Sequence, residues 1–190
     1  MLVREIKINM TKTMDINQTQ ESTEQLIGLY KHFHNNGDIE RAEKTEALLK
    51  KLLNHEYIIA FCGHFSAGKS TMINSLLGEN VLPSSPIPTS ANLVKVHKSQ
   101  EDFAKVFYRN EPPLLFQAPY DFAKVKEFCK NGDVREIEIG QSLSKLSDGV
   151  TVMDTPGVDS TDDAHRISTE SAIHLANIVF YVMDYNHVQS

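Results

Sequence analysis

The sequence is short of cysteine, of glycine and proline, of positive charge and of long apolar runs, and each shortage closes off a class of protein. Two cysteines, Cys62 and Cys129, in 190 residues are too few for a disulfide framework and fit a reducing cytosol. Nine glycines and seven prolines beside 41% hydrophobic residues exclude a disordered tail and describe a soluble globular chain able to bury a core. Acids outnumber bases, for a net charge of −6 and a pI near 5.7. No nucleic-acid partner is therefore expected, nor a general anionic-membrane surface, since either would need clustered Lys and Arg. A small local phosphate site is not excluded. The longest apolar runs, YIIAFC (57–62) and IVFYVM (178–183), fall far short of the roughly 20 residues that span a bilayer. The N-terminus MLVREIKINMTKTMDINQ has no apolar core and is no secretory signal. A membrane role would be peripheral or would lie in residues outside this chain.

Residues 1–18 are polar and aperiodic and read as a loose leader, with Met10 and Met14 as later starts. Over 19–55 the pattern is helical. Leu26, Leu29, Tyr30 and Phe33 recur at helix spacing, and Asn36-Gly37 supplies a stop. Asp38 is an N-cap for a second helix carrying Ile39, Ala42, Leu48, Leu49, Leu52 and Leu53. Each helix of this hairpin has one apolar stripe, which must pack either on the following domain or on helices from elsewhere in a longer protein. His32 and His34, two apart on a helix, point to different faces and make no metal site.

From residue 56 the order becomes strand, glycine loop, helix, loop, strand. Further strands are expected at NLVKVHK (92–98), AKVFYR (104–109), VREIEI (134–139), GVTVMD (149–154) and IVFYVMD (178–184). Helices are expected at 121–130 and 163–176, and a turn at Pro112-Pro113. Apolar strands alternating with helices indicate an α/β sheet with helices on both faces.

The chemistry sits in Gly63-His64-Phe65-Ser66-Ala67-Gly68-Lys69-Ser70, which fits G-x-x-x-x-G-K-[ST], followed by Thr71. A loop leaving a strand and turning into a helix can point successive backbone N–H groups at a triphosphate, and Gly63 and Gly68 permit the dihedrals and close approach this needs. The helix N-terminus adds its dipole. Lys69 would reach the β- and γ-phosphates, and the Ser70 hydroxyl would ligate Mg²⁺. Asp154-Thr155-Pro156-Gly157 follows an apolar strand. Alone it is an ordinary turn; beside a P-loop, Asp154 suits a direct or water-mediated Mg²⁺ contact and Gly157 can offer its N–H to the γ-phosphate. The loop LPSSPIPTSANLV (82–94) suits a switch segment, with Thr89, then Ser90, as the hydroxyl completing the Mg²⁺ shell.

GHFSAGKSTMINSLLGENVLPSSPIPTSANLVKV, VMDTPGVDS and VFYVMDYNH together resemble the GTPase domain of the dynamin superfamily, and bacterial dynamin-like proteins in particular, over residues 55–190. The resemblance implies a P-loop NTPase three-layer sandwich, C-terminally incomplete and preceded by a neck- or stalk-type helical hairpin. The 65-residue step from Thr89 to Asp154 leaves room for the extra strands of dynamin-type domains. It further implies a cytoplasmic, peripherally membrane-associated GTPase that forms a homodimer through its nucleotide face and couples hydrolysis to membrane remodelling or fusion, touching lipid through regions outside this chain. GTP and Mg²⁺ would be its cofactors. By motif match Lys69 and Ser70 bind phosphate and metal, Thr89 positions the water, Asp154 and Gly157 form the DxxG element, and Ser66 helps hold a monovalent cation as in some members.

Two departures qualify this. Phe65 stands where several dynamins have glutamine, and Val158 where Ras-type proteins place theirs, so water would be held by Thr89, backbone groups or a dimer partner. His64 reads as an exposed loop side chain. Alternatives are a nucleotide-gated binding module with negligible hydrolysis and an ATPase on the same scaffold. The guanine-reading [TN]-K-x-D motif lies further on in the family than Ser190, so the chain is expected to be a fragment of a longer reading frame, with guanine specificity implied by family alone.

Overall fold

The computed structural model describes residues 2–82, 92–129, 133–157, 169–170 and 172–184, with the backbone alone for 2–18 and Phe122. The chain divides into two compact units, 1–56 and 57–190.

The first unit is two helices, α1 (Leu2–Asn35) and α2 (Ile39–Leu53), packed on each other across a tight turn. Gly37, at φ 75°, ends α1, and Asp38 N–H returns to Phe33 O at 3.0 Å. Asp38 caps α2 by accepting from Arg41 N–H at 3.2 Å and pairs with the Arg41 guanidinium at 2.6 Å. Residues 2–18, expected as a loose leader, instead continue α1. No proline and no glycine interrupts 2–27, so nothing in the backbone stops the helix once it has formed further along. Of the residues assigned to the apolar stripe, Ala42 is buried while Ile39, Leu29, Leu48 and Leu53 are exposed. His32 and His34 are exposed as expected.

The second unit is a seven-stranded mixed sheet. Its strands are β1 (Tyr57–Gly63), β2 (Leu93–Lys98), β3 (Phe103–Tyr108), β4 (Leu114–Gln117), β5 (Val134–Gln141), β6 (Val150–Asp154) and β7 (Ile178–Val182), in the spatial order β4-β3-β5-β2-β6-β1-β7. β1 runs parallel to both β6 and β7. Polarity reverses at β2, which is antiparallel to β6 and parallel to β5. The chain therefore enters β2 at the same pole at which it leaves β1 and β6. β4, antiparallel to β3, was not anticipated: the turn expected at Pro112-Pro113 is followed by four residues, before Pro119, to which the sequence assigned no element. A short proline-flanked strand belongs at a sheet edge, where missing N–H groups face solvent.

Helices α3 (Lys69–Leu77) and α4 (Phe122–Phe128) cover one face of the sheet. There Ile73, Leu77 and Val125 meet Phe61, Val94, Val96, Val106, Ile137, Ile139 and Val152. On the other face, the helical turns at 169–170 and 172–175 bring Ala172 and Leu175 against Ile58, Ala60, Cys62, Leu93 and Met153. Among the described residues, helices lie on both faces over this half of the sheet. Over β2, β5 and β3 the second face carries Lys95–Glu136 (3.0 Å) and His97–Glu138 (3.1 Å) pairs, with Lys105 beside Glu138 in the register. Polar side chains alternating with buried valines make a face that tolerates water.

At the opposite edge, β7 exposes Ile178, Val179, Phe180 and Tyr181, and Phe180 stacks on Phe61 at 5.2 Å between ring centres. An apolar outer strand is a template for further pairing. This chain on its own is expected to self-associate, and placing Lys at Val179 and Tyr181 together should lower its light scattering several-fold. A monodisperse unaltered sample would count against an adhesive β7 edge.

Candidate functional site: a phosphate loop beside a buried carboxylate

β1 ends at Gly63, whose φ of 146° is strained for any residue with a Cβ. A Cβ there would also collide with the Val182 carbonyl oxygen of β7. His64 to Ala67 turn tightly, with Ala67 N–H donating to His64 O at 3.3 Å. Ser66 sits in the left-handed region at φ 60° and Gly68 at φ 95°, the latter serving as N-cap of α3 with no side chain across its open amides. Helix-start N–H groups and alternating backbone hands of this kind form an anion-binding concavity.

Lys69 is 4% exposed. Its ammonium donates to Gly63 O at 3.1 Å and His64 O at 2.9 Å, so it lies inside the curve of the loop. Ser70 Oγ donates to Asp154 Oδ2 at 2.5 Å. Asp154 reaches it because β6 pairs with β1 in a register that sets Asp154 opposite Phe61. Thr155 N–H and Oγ1 then both donate to Phe61 O, at 3.2 and 3.0 Å, prolonging the pairing beyond the strand.

Asp154 is 1% exposed, and its Oδ1 has no hydrogen-bond partner among the described residues. Burial pushes this carboxyl up to about 6, against the opposing pull of the Ser70 hydrogen bond and the Lys69 charge. A buried carboxylate oxygen without a donor is costly unless a cation meets it. The all-oxygen set of Ser70 Oγ and the Asp154 carboxylate fits a hard divalent cation such as Mg²⁺.

The structure thus brings together Gly63, His64, Phe65, Ser66, Ala67, Gly68, Lys69, Ser70, Thr71 and Asp154, and places Gly157 three residues beyond Asp154 on the same pole. Thr89, Ser90 and Val158 lie outside the described residues. The described chain after Thr89 nonetheless reaches this pole, since Val94 of β2 pairs with Asp154. Ser66 is exposed. His64 stands edge-on to Tyr181, with ring centres 6.5 Å apart. Cys62 is buried, which pushes its thiol up. Two buried asparagines at this pole, Asn74 and Asn92, were not singled out from sequence.

A strand, a phosphate loop, a helix and an acid at the end of the neighbouring strand define a P-loop domain. Residues 59–190 match the family model for the dynamin family, and the chain belongs to that family. It is 45% identical over 163 residues to Dynamin-like protein A of Bacillus subtilis, covering 85% of this chain and 14% of that protein. It is 25% identical over 182 residues to Dynamin-like protein 1 of Campylobacter jejuni, covering 76% of this chain and 25% of that one. The chain therefore spans a quarter or less of the length of these relatives. Among solved structures, an oligomerised bacterial dynamin pair, described as a mechanism for long range sensing and tethering of membranes, shares the fold. Its TM-score is 0.56 at 21% identity, over 87% of this chain and 28% of that one. Among the described residues no helix is long and apolar enough to cross a membrane.

The Asp154 carboxyl titrates higher folded than unfolded, so the folded chain holds its proton between about pH 4 and about 6. The stability this proton gives is full at low pH and is lost as pH rises through about 6. Asn at position 154 cannot ionise. In chelator without nucleotide, the protein should lose stability relative to Asp154→Asn by on the order of 2–3 kcal/mol between about pH 4 and about 7. Thermal melts that run parallel for the two proteins would show that the carboxylate is not buried as described.

Proposed function

We propose that this chain binds GTP with Mg²⁺ and hydrolyses it, and that the protein it belongs to uses nucleotide-dependent homodimerisation of this domain to remodel or fuse membranes. The observation that most supports this is the convergence of Lys69, Ser70 and a buried, under-coordinated Asp154 at the mouth of one phosphate loop. Lys69 exchanges two neutral carbonyl acceptors for phosphate oxygens, a stronger charge-assisted contact. Ser70 and Asp154 would hold Mg²⁺, which neutralises charge on the β- and γ-phosphates. Loop N–H groups from His64 to Thr71 hold the anion, the Gly157 N–H meets the γ-phosphate, and Thr89 orients the attacking water. Ser66 helps hold a monovalent cation. Guanine as the base and a peripheral membrane association rest on family membership. The tethering described for the oligomerised dynamin pair is in keeping with the membrane role.

In the full-length protein, Lys69→Ala should lower Mg²⁺-dependent GTP turnover at least about a hundredfold. Turnover per molecule should rise with protein concentration, as expected if a partner helps complete the site. Unchanged turnover in Lys69→Ala would remove the proposed site. Preferential turnover of ATP would overturn the choice of base.

A further inference from the structure

Asn74 sits four residues after Ser70, on the same face of α3. It is 5% exposed and lies between the core residues Ile73 and Leu77. Asparagine is a mediocre helix former, and an apolar side chain would pack as well there. Both ends of its amide are engaged: Nδ2 donates to Leu82 O and Oδ1 accepts from Leu82 N–H, both at 2.7 Å. Leu82 itself is 1% exposed, so without Asn74 two buried backbone groups would lose these bonds. The Asn74 carbonyl also accepts from Gly78 N–H at 2.8 Å and Glu79 N–H at 3.2 Å. One residue thus organises the chain from the end of α3 to Leu82 with both its backbone and its side chain. At the far end of the connection, Asn92 is 1% exposed and donates Nδ2 to Phe128 O at 2.9 Å. Val94, two residues on, pairs with Asp154.

We propose that Asn74 is a positioning residue for turnover: its amide fixes, against the helix that carries Ser70, the point at which the chain leaves Leu82 for the connection bearing Thr89. Its side-chain hydrogen bonds go to Leu82 and none goes to the phosphate loop or Asp154 among the described residues, so it acts through the Leu82 backbone. The inference rests on the GTPase reading above. Loss of the clamp should therefore leave nucleotide capture at the loop intact while lowering the rate of the step that needs Thr89 in place.

The test uses the full-length protein with GDP affinity and GTP turnover measured side by side. Asn74→Ala should bind GDP within about twofold of the unaltered protein while kcat falls between about tenfold and about a hundredfold. Asn74→Asp, with GDP affinity followed at each pH, adds a readout that separates positioning from general support of the site, because only turnover should move with pH. Its ionised carboxylate cannot donate to Leu82 O, whereas the protonated acid reproduces both bonds of the amide. Turnover of Asn74→Asp divided by that of the unaltered protein should therefore climb as pH falls from about 8 to about 6. A flat ratio overturns the proposal even if Asn74→Ala fails to fold. GDP affinity falling in step with kcat overturns it too, since Asn74 would then support the whole site. Equal turnover in Asn74→Ala and the unaltered protein overturns it while leaving the GTPase reading standing. Absence of turnover in the unaltered protein overturns both.

Discussion

The pairing of β1 with β6 is the constraint on which the rest depends. Because Phe61 lies opposite Asp154, the chain emerges from both strands at one level, and the phosphate loop and the DTPG segment become neighbours. Thr155 extends this pairing through two bonds to Phe61 O. Ser70 then ties the start of α3 to the carboxylate. Burying that carboxylate beside a single hydroxyl donor opposes stability. The fold accepts the penalty because β-sheet backbone and the apolar layer under α3 hold the register independently.

The same sheet is two half-sheets of different character. β1, β6 and β7 are parallel and lie against apolar layers that are dense at β1 and β6 and thin at β7. β2, β5, β3 and β4 extend away with one apolar face and one charged face. The Lys95–Glu136 and His97–Glu138 pairs are half-buried, and they give that face polar partners that keep it compatible with water. The reversal of polarity at β2 also delivers Val94 beside Asp154, which a continuously parallel sheet would not do.

Much of this was legible in the sequence, and what was not has physical reasons. The phosphate loop is contiguous, so its glycines, Lys69 and Ser70 are read directly, and the strand before Asp154 is a plain apolar run. Asp38 and Gly37 bound their helices through chemistry local to each position. The first half of α1 escaped because helix without an apolar stripe has no periodic signal. β4 escaped because four residues between prolines are too few to show a strand's alternation, although an edge strand asks for no more. The polar face of β2, β5 and β3 was present in the alternation of Val94, Lys95, Val96 and His97, but alternation marks a strand with one polar side without saying what lies above it. Asn74 and Asn92 escaped for a deeper reason. Their partners are backbone groups, which every residue carries, so the contact leaves no trace in the identity of the partner.

That distinction between side-chain and backbone neighbours sets how repairable each glycine is. A methyl at Gly140 would strike the Phe103 ring and the Ser99 Cβ, and trimming those two side chains elsewhere in the gene could make room for it. At Gly63 the obstacle is the Val182 carbonyl, which no codon can remove. Genetic suppressors of a lesion at position 140 are conceivable; for position 63 the only route back is reversion.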